Sequence, residues 1–195
     1  MTPLFSSVFE EFVFWVVFLS GMFVATLIEG RGARQSRSAQ KRMADNGTYL
    51  VANFALLWSL AIAIILGYVR IGTLPGWFFY PGLATYVLGL AIASWAVRTL
   101  GRFYAPTVQA LPDHKVVDTG PYRLIRHPVY AGGLLSVLGL GLALQSWAAM
   151  LVLLVGVGFG YANRIRVEER FLIAQLGDDY VKYSKRTKRI IPLVF

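Results

Sequence analysis

Uncharged apolar runs long enough to cross a lipid bilayer dominate the sequence. Three are separate segments, Phe12 to Ile28, Leu50 to Val69 and Trp77 to Val97, and a fourth, Val129 to Ala162, extends for 34 residues without a charge. A helix needs about 20 apolar residues to cross the hydrocarbon core, at about 1.5 Å per residue. The first three runs therefore predict one membrane span each, whereas the fourth is too long for a single span.

The fourth run is interrupted by the polar pair Gln145 and Ser146, followed by Trp147, which predicts a helical hairpin of two short spans. Lipid cannot satisfy the edges of an open sheet, and the runs lack the alternation of a barrel. We therefore expect an all-α integral membrane protein of one domain, 1–195, with five spans at about 12–28, 50–69, 77–97, 129–144 and 147–162. Close packing of the last two spans is predicted at their glycines, which are Gly132, Gly133, Gly139, Gly141, Gly156, Gly158 and Gly160.

The composition supports the membrane class and excludes several others. Hydrophobic residues make up 56% of the 195 residues and charged residues only 15%, whereas soluble domains contain about 25% charged residues. Disordered chains are poor in aliphatic and aromatic residues, so disorder is excluded. The absence of cysteine excludes disulfides, thiolate metal sites and cysteine nucleophiles.

The basic residues predict the orientation in the membrane. The net charge is +9, and with five spans all but one of the 19 lysines and arginines fall on one side, in the loop 29–48, the stretch 98–126 and the tail after Ala162. Only Arg70 falls on the other side. The positive-inside rule then places the N-terminus outside and the C-terminus in the cytosol. The acidic residues Glu10 and Glu11 precede the first span, which does not suit a cleavable signal peptide, so we expect this span to be retained.

Polar chemistry is concentrated in two predicted cytosolic segments, 101–128 and 163–195. The first contains both histidines and leads into His127-Pro128, where proline suits the first turn of the fourth span. The second predicts a helical continuation of the fifth span to Leu176, a stop at Gly177 and a short second helix capped by Asp178. Its basic end, 182–189, predicts contact with lipid headgroups.

Six short motifs follow one another over about the last 95 residues. They are His-x-(Leu/Val)-Val at 114–117, Gly-x-Tyr at 120–122, Arg-His-Pro-x-Tyr at 126–130, Arg-x-x-x-Glu at 164–168, Gly-x-x-Tyr-x-x-Tyr at 177–183 and Arg-x-x-Pro at 189–192. In this order, on a frame of several spans, they resemble the isoprenylcysteine carboxyl methyltransferase family. The five predicted spans resemble its small prokaryotic members, which implies a prokaryotic inner membrane.

The resemblance implies a cofactor, an acceptor and the residues that bind them. Members of the family transfer the methyl group of S-adenosylmethionine to a carboxylate at the membrane surface, leaving S-adenosylhomocysteine. By position, Arg164 and Glu168 match the family's substrate-side arginine and its essential glutamate. The residues implied to bind the cofactor are Gln109, His114, Lys115, Val116, Val117, Tyr122, His127, Pro128, Val129 and Tyr130.

The chemistry of such a site requires alignment more than a strong base, because a carboxylate is already ionised at neutral pH. Arg164 is expected to orient the acceptor's carboxylate, and Glu168 to hold either Arg164 or the cationic end of the cofactor. Taken alone, the Arg164–Glu168 pair, four residues apart on one helix face, would be interpreted as a solvated surface ion pair.

Other functions stay open at this point. A phospholipid or other amine N-methyltransferase would need a base, with Glu168 or His127 as candidates. A membrane reductase of the steroid-reductase type would use NADPH, and a non-enzymatic membrane scaffold would use neither cofactor. The expected partners are a lipidic or lipidated acceptor and membrane lipids. No nucleic acid is expected because no recognition module accompanies the basic tail, and no metal because the histidines, Asp113 and Asp118 match no familiar spacing.

Overall fold

The described part of the chain is almost entirely helical. The computed structural model describes residues 5, 7–36, 47–108 and 113–191. Its α-helices are α1 (Val8–Ser36), α2 (Thr48–Tyr68), α3 (Phe79–Leu100), α4 (Pro128–Ala143), α5 (Trp147–Leu176) and α6 (Asp178–Arg186). Short 3₁₀ turns lie at Gly76–Phe78, Gly101–Phe103 and Gly120–Arg123. Within these described ranges, β-structure is limited to two isolated bridges.

Four of these helices are long and apolar enough to cross a membrane. The corresponding segments are Val8–Leu27, Thr48–Tyr68, Gly76–Phe103 and Trp147–Leu176. Their outward side chains are large and apolar, as in Phe159 of α5, which is 64% exposed. The chain is therefore an all-helical integral membrane protein. The apolar helix α4 has 16 residues, about 24 Å in length, which is shorter than a typical hydrocarbon core of about 30 Å.

The helices pack through small residues that bring their backbones together. A Cβ atom added to Gly89 of α3 would collide with the backbone nitrogen of Ser136 in α4, and one added to Gly156 of α5 would collide with Ser59 of α2. The predicted role of glycine in close packing is confirmed at Gly156. The prediction was wrong for Gly158, which has open space in place of a neighbour and so faces away from the other helices.

The junction between α4 and α5 lies at the polar residues that interrupt the fourth apolar run. Gln145 has a positive φ of 50°, and Ser146 caps α5 by accepting a hydrogen bond from the amide of Ala149 at 3.1 Å. The Ser146 hydroxyl also donates to the carbonyl of Ile71 at 2.6 Å, and the amide of Leu74 donates to the carbonyl of Gln145. These bonds fasten the junction to the loop between α2 and α3.

At the opposite, polar end of the molecule, α5 continues past the predicted span 147–162 as one helix to Leu176, as the sequence predicts. Gly177, with φ of 57°, ends α5 and allows α6 to turn back. The predicted cap at Asp178 was wrong, because Gly177 occupies the capping position. Asp178 lies in the first turn of α6, where its negative charge interacts favourably with the helix dipole. The amphipathic helix α6 buries Tyr180 and Tyr183 against the rest of the fold.

Candidate active site

A cavity of about 220 Å³ lies at the polar end of the helices. Its walls come from α2, α4, α5, α6 and the connecting stretches 103–108 and 113–117. The residues with predicted roles that border it are His114, Lys115, Val116, Val117, Tyr122, His127, Val129, Tyr130, Arg164 and Glu168. Pro128 is instead fully buried in the first turn of α4, and Gln109 lies outside the described residues. The fold thus brings the two predicted polar segments together.

Arg164 and Glu168 face the cavity and are joined through the hydroxyl of Tyr130. The Arg164 Nε donates to the Tyr130 oxygen at 2.9 Å, and the same hydroxyl donates to Glu168 Oε2 at 2.7 Å. A phenol that accepts from a cation and donates to a carboxylate is fixed in its rotation, since both of its hydrogen-bonding directions are used. Tyr130 therefore sets the position of both charged groups relative to α4.

Arg164 is held from two further directions. Its Nη2 donates to the carbonyl of Pro106, and its guanidinium lies 5.6 Å from the centre of the Tyr49 ring in α2. The residue is only 6% exposed. A buried, oriented guanidinium differs from the solvated ion pair that the spacing alone would suggest, because a buried cation is retained only where several groups stabilise it.

His114 lies in the cavity wall, where its ring stacks on Phe103 with the ring centres 5.4 Å apart. Burial lowers the pKa of His114, and the negative charge of Glu168 counteracts this shift only in part. Its Nδ1 is buried and has no hydrogen-bond partner among the described residues. A neutral imidazole with a spare polar atom at a cavity wall suits a polar ligand, because an unmatched buried group is costly.

Three tyrosines close the side of the cavity formed by α6. The Tyr183 hydroxyl donates to the carbonyl of Tyr122 at 2.8 Å, whereas the buried Tyr180 hydroxyl has no partner among the residues that the structure describes. Burial raises the pKa of all three phenols, that of Tyr183 to about 12. They remain neutral at physiological pH and serve as hydrogen-bonding groups.

Glu169 is the centre of an ion-pair cluster beside the cavity. Its Oε1 lies 3.0 Å from Arg126 Nε and 3.3 Å from His127 Nε2, and its Oε2 lies 2.9 Å from Arg189 Nη2. Burial by itself would raise the pKa of Glu169, but His127, Arg189 and Arg126 outweigh it and lower this pKa to about 2. The carboxylate is therefore ionised at every physiological pH.

Several residues at this site were missed by the sequence reasoning. Glu169 follows Glu168 directly, but the rotation of about 100° per helical residue points it to a different cluster. Tyr49 and Asn53 reach the cavity from α2, which lies outside the region of the six motifs. Tyr180 was present in the Gly-x-x-Tyr-x-x-Tyr motif without an assigned role. Within the described ranges, no three His, Asp or Glu side chains are grouped closely enough to hold a metal ion.

Two arginines of the basic tail form ion pairs with carboxylates at or near the site, which the sequence did not predict. Arg186 pairs with Asp118, and Arg189 pairs with Glu169. The prediction that the stretch 182–189 contacts lipid headgroups stays a prediction, and these two arginines have carboxylate partners within the protein as well.

The chain matches a methyltransferase family model and is similar to several proteins of other organisms. Residues 77–179 match a family model described as phospholipid methyltransferase. The chain is 32% identical to the cobalt-zinc-cadmium resistance protein CzcN of Cupriavidus metallidurans over 77% of this chain and 68% of that protein. It is 27% identical to a probable protein-S-isoprenylcysteine O-methyltransferase of Oryza sativa subsp. indica over 83% and 84% of the two chains.

A solved structure shares the fold. The eukaryotic intramembrane Ras methyltransferase ICMT superposes with a TM-score of 0.63 at 21% identity, over 91% of this chain and 67% of that one. The shared part therefore extends well beyond the match to the family model, into the region before residue 77.

Proposed function

Because this chain belongs to the phospholipid methyltransferase family, we propose that it transfers a methyl group from S-adenosylmethionine to the carboxylate of a lipidic acceptor. Relatives named protein-S-isoprenylcysteine O-methyltransferase favour a carboxylate as the acceptor group. The observation that carries the proposal is the buried Arg164, which Tyr130 holds at a cavity beside the apolar helices.

The proposed setting is the cytosolic face of a prokaryotic inner membrane. In this proposed setting the chain has five spans, with α4 and α5 as the hairpin and the N-terminus outside, and the cavity opens on the cytosolic side. The cofactor then enters from water, and the acceptor reaches the cavity from the bilayer. The positive charge of the segments around the cavity supports this orientation, since basic residues accumulate on the cytosolic side.

The cavity wall fits S-adenosylmethionine. The buried Nδ1 of His114 and the buried hydroxyl of Tyr180 have no partners among the described residues, and a ligand with amino, carboxylate and hydroxyl groups would supply them. The stacked ring of Phe103 and the side chains of Val116 and Val117 provide an apolar wall beside them. When bound, S-adenosylmethionine would supply a methyl group on a cationic sulfur, so that a carboxylate oxygen could bond to this methyl group as its bond to sulfur breaks, with neutral S-adenosylhomocysteine as the leaving group.

The protein's own groups then act by orientation. Arg164 presents a fork of N–H groups that matches the two oxygens of a carboxylate. Tyr130 keeps that fork in place, and Glu168 holds the Tyr130 hydroxyl from the other side. Alignment of this kind accounts for a large part of the barrier reduction in displacement reactions. Val129 and Leu56 add apolar surface to the same cavity.

An amine acceptor is the second candidate, favoured by the description of the family model and by one contact. Glu168 accepts a hydrogen bond from Tyr130, so a proton released by an attacking amine has a route through that phenol to a carboxylate. An amine must be deprotonated before it attacks, and this alternative therefore predicts a steep loss of rate below about pH 7. A carboxylate acceptor predicts a rate that changes little there.

Labelled methyl transfer separates these acceptors. The purified protein is incubated with methyl-labelled S-adenosylmethionine and either N-acetyl-S-farnesylcysteine or phosphatidylethanolamine, and the product is treated with alkali. A methyl ester releases volatile methanol, whereas an N-methyl group survives. We expect alkali-labile label with the carboxylate probe. Stable label from the amine probe would reject the carboxylate in favour of the second candidate.

A further inference from the structure

The C-terminal segment 187–189 runs alongside the entrance to α4. Ile125 and Lys188 form a parallel β-bridge, and the amide of Lys188 donates to the carbonyl of Leu124 at 3.4 Å. In the other direction, the amides of Arg126 and His127 donate to the carbonyls of Lys188 and Arg189 at 2.7 and 3.0 Å. The tail thus satisfies the backbone of the residues that lead into the cavity wall.

The side chains fasten this pairing. Arg126 donates through Nη1 to the carbonyls of Ser184 and Thr187 at 2.7 and 2.6 Å, which holds the end of α6. Arg126 and His127 bind Oε1 of Glu169, and Arg189 binds Oε2 through Nη2 and reaches Oε1 through Nε at 3.4 Å. A carboxylate bound at both oxygens cannot rotate, so His127 has an acceptor in a fixed place.

We propose that residues 187–189 are a structural strap of the active site and that Arg189 is a positioning residue acting through Glu169 on His127 and Arg126. The consequence for cofactor binding rests on the proposed function. His127 borders the cavity and is only 4% exposed, so its orientation depends on the Glu169 carboxylate beside it. Loss of Arg189 frees one oxygen of Glu169 and releases the end of the strap.

The other role open to this tail is contact with lipid headgroups. Its basic residues differ in which of the two roles they suit. Lys185 lies on the exposed face of α6 and suits a lipid phosphate. The guanidinium of Arg189 is directed at Glu169, although the side chain is 44% exposed. Lys185 is thus a matched control, because its removal subtracts the same charge from the same tail without touching Glu169.

The first test is amide hydrogen exchange of the segment 124–131 in detergent-purified R189A, R189K and K185A proteins. We expect R189A to speed exchange at Arg126 and His127 by about tenfold or more, R189K to stay near wild type, and K185A to change nothing. Equal exchange in R189A and K185A would overturn the strap. Should R189A fail to fold, R189Q takes its place against R189K.

The second test is the dissociation constant of S-adenosylhomocysteine. We expect about tenfold weaker binding for R189A, as for the loss of one charge-assisted hydrogen bond, with most of the affinity restored in R189K. E169Q and the E169Q/R189A double variant should bind alike, since Arg189 acts through Glu169. The positioning role would be rejected if the affinity losses of E169Q and R189A added up in the double variant. It would also be rejected if K185A lost as much affinity as R189A and this loss varied with the anionic lipid content. If wild type itself does not bind, the proposed function fails, and the exchange result still decides the strap.

Discussion

The apolar helices and the polar layer at one end of them are held together by different kinds of contact. Between α3 and α4, and between α2 and α5, glycine and other small residues let backbones touch, as at Gly89 and Gly156. In the polar layer, charged side chains such as Arg164 and Glu169 are fixed by several hydrogen bonds each. The helix seams therefore depend on the size of a residue, whereas the polar layer depends on its chemical identity.

The largest effect is expected from Arg164→Ala. The substitution removes the guanidinium that would orient the acceptor, and removal of a single oriented donor from an active site typically costs about 100-fold to 1,000-fold in rate. The measurement is kcat with the carboxylate probe, at saturating S-adenosylmethionine. The matched control is Arg166→Ala, which removes an exposed arginine from the same helix and should change kcat less than about twofold. An equal loss in both variants would mean that charge alone, rather than orientation, matters here.

The helix seams are tested by Gly89→Val. A valine side chain would meet the backbone of Ser136, and we expect a loss of about 1–3 kcal/mol in the free energy of unfolding, or a failure to accumulate. Thermal unfolding in detergent measures the effect. Gly158→Val provides the control, because Gly158 faces open space on α5 and the larger side chain has room. A destabilised Gly158→Val would show that helix propensity outweighs packing.

Tyr130→Phe should have a smaller effect on catalysis than loss of Arg164. It retains the ring but removes the hydroxyl that joins Arg164 to Glu168, and hydrogen bonds to charged groups contribute about 1.5–3 kcal/mol. We expect kcat to fall about tenfold or more, and the free energy of unfolding to fall by about 1.5–3 kcal/mol because Arg164 and Glu168 each lose a partner. Tyr80→Phe, an exposed phenol on α3, serves as the control. An unchanged kcat in Tyr130→Phe would show that this hydroxyl does not position Arg164 for catalysis.

The smallest effect concerns the pH dependence of stability. The pKa of Glu169 is lowered from 4.5 to about 2 in the folded state, so its ionised form stabilises the protein above pH 4.5 and this contribution disappears as the pH falls through about 2. The gap in unfolding temperature between wild type and E169Q should therefore shrink steadily over that interval. A gap that stays constant with pH would show that Glu169 acts by packing instead of charge.

The sequence predicted the parts of the molecule that depend on local pattern. Apolar runs gave four helices long enough to cross a membrane, and ordered motifs pointed to Arg164, Glu168 and the stretch 114–130. Contacts between residues that are far apart in the sequence could not be predicted. No local pattern indicates that the Tyr49 ring lies beside Arg164, or that Arg189 binds Glu169. A one-dimensional charge pattern reports net charge and spacing, whereas burial and pairing depend on which helices meet.

The methyltransferase function requires that the cavity at the polar end bind the methyl donor. Isothermal titration of the detergent-purified protein with S-adenosylhomocysteine, and separately with NADPH, tests it most directly. We predict saturable binding of S-adenosylhomocysteine at one site and none of NADPH. Binding of NADPH alone would contradict the account in favour of a reductase, and binding of neither would contradict both enzymatic functions.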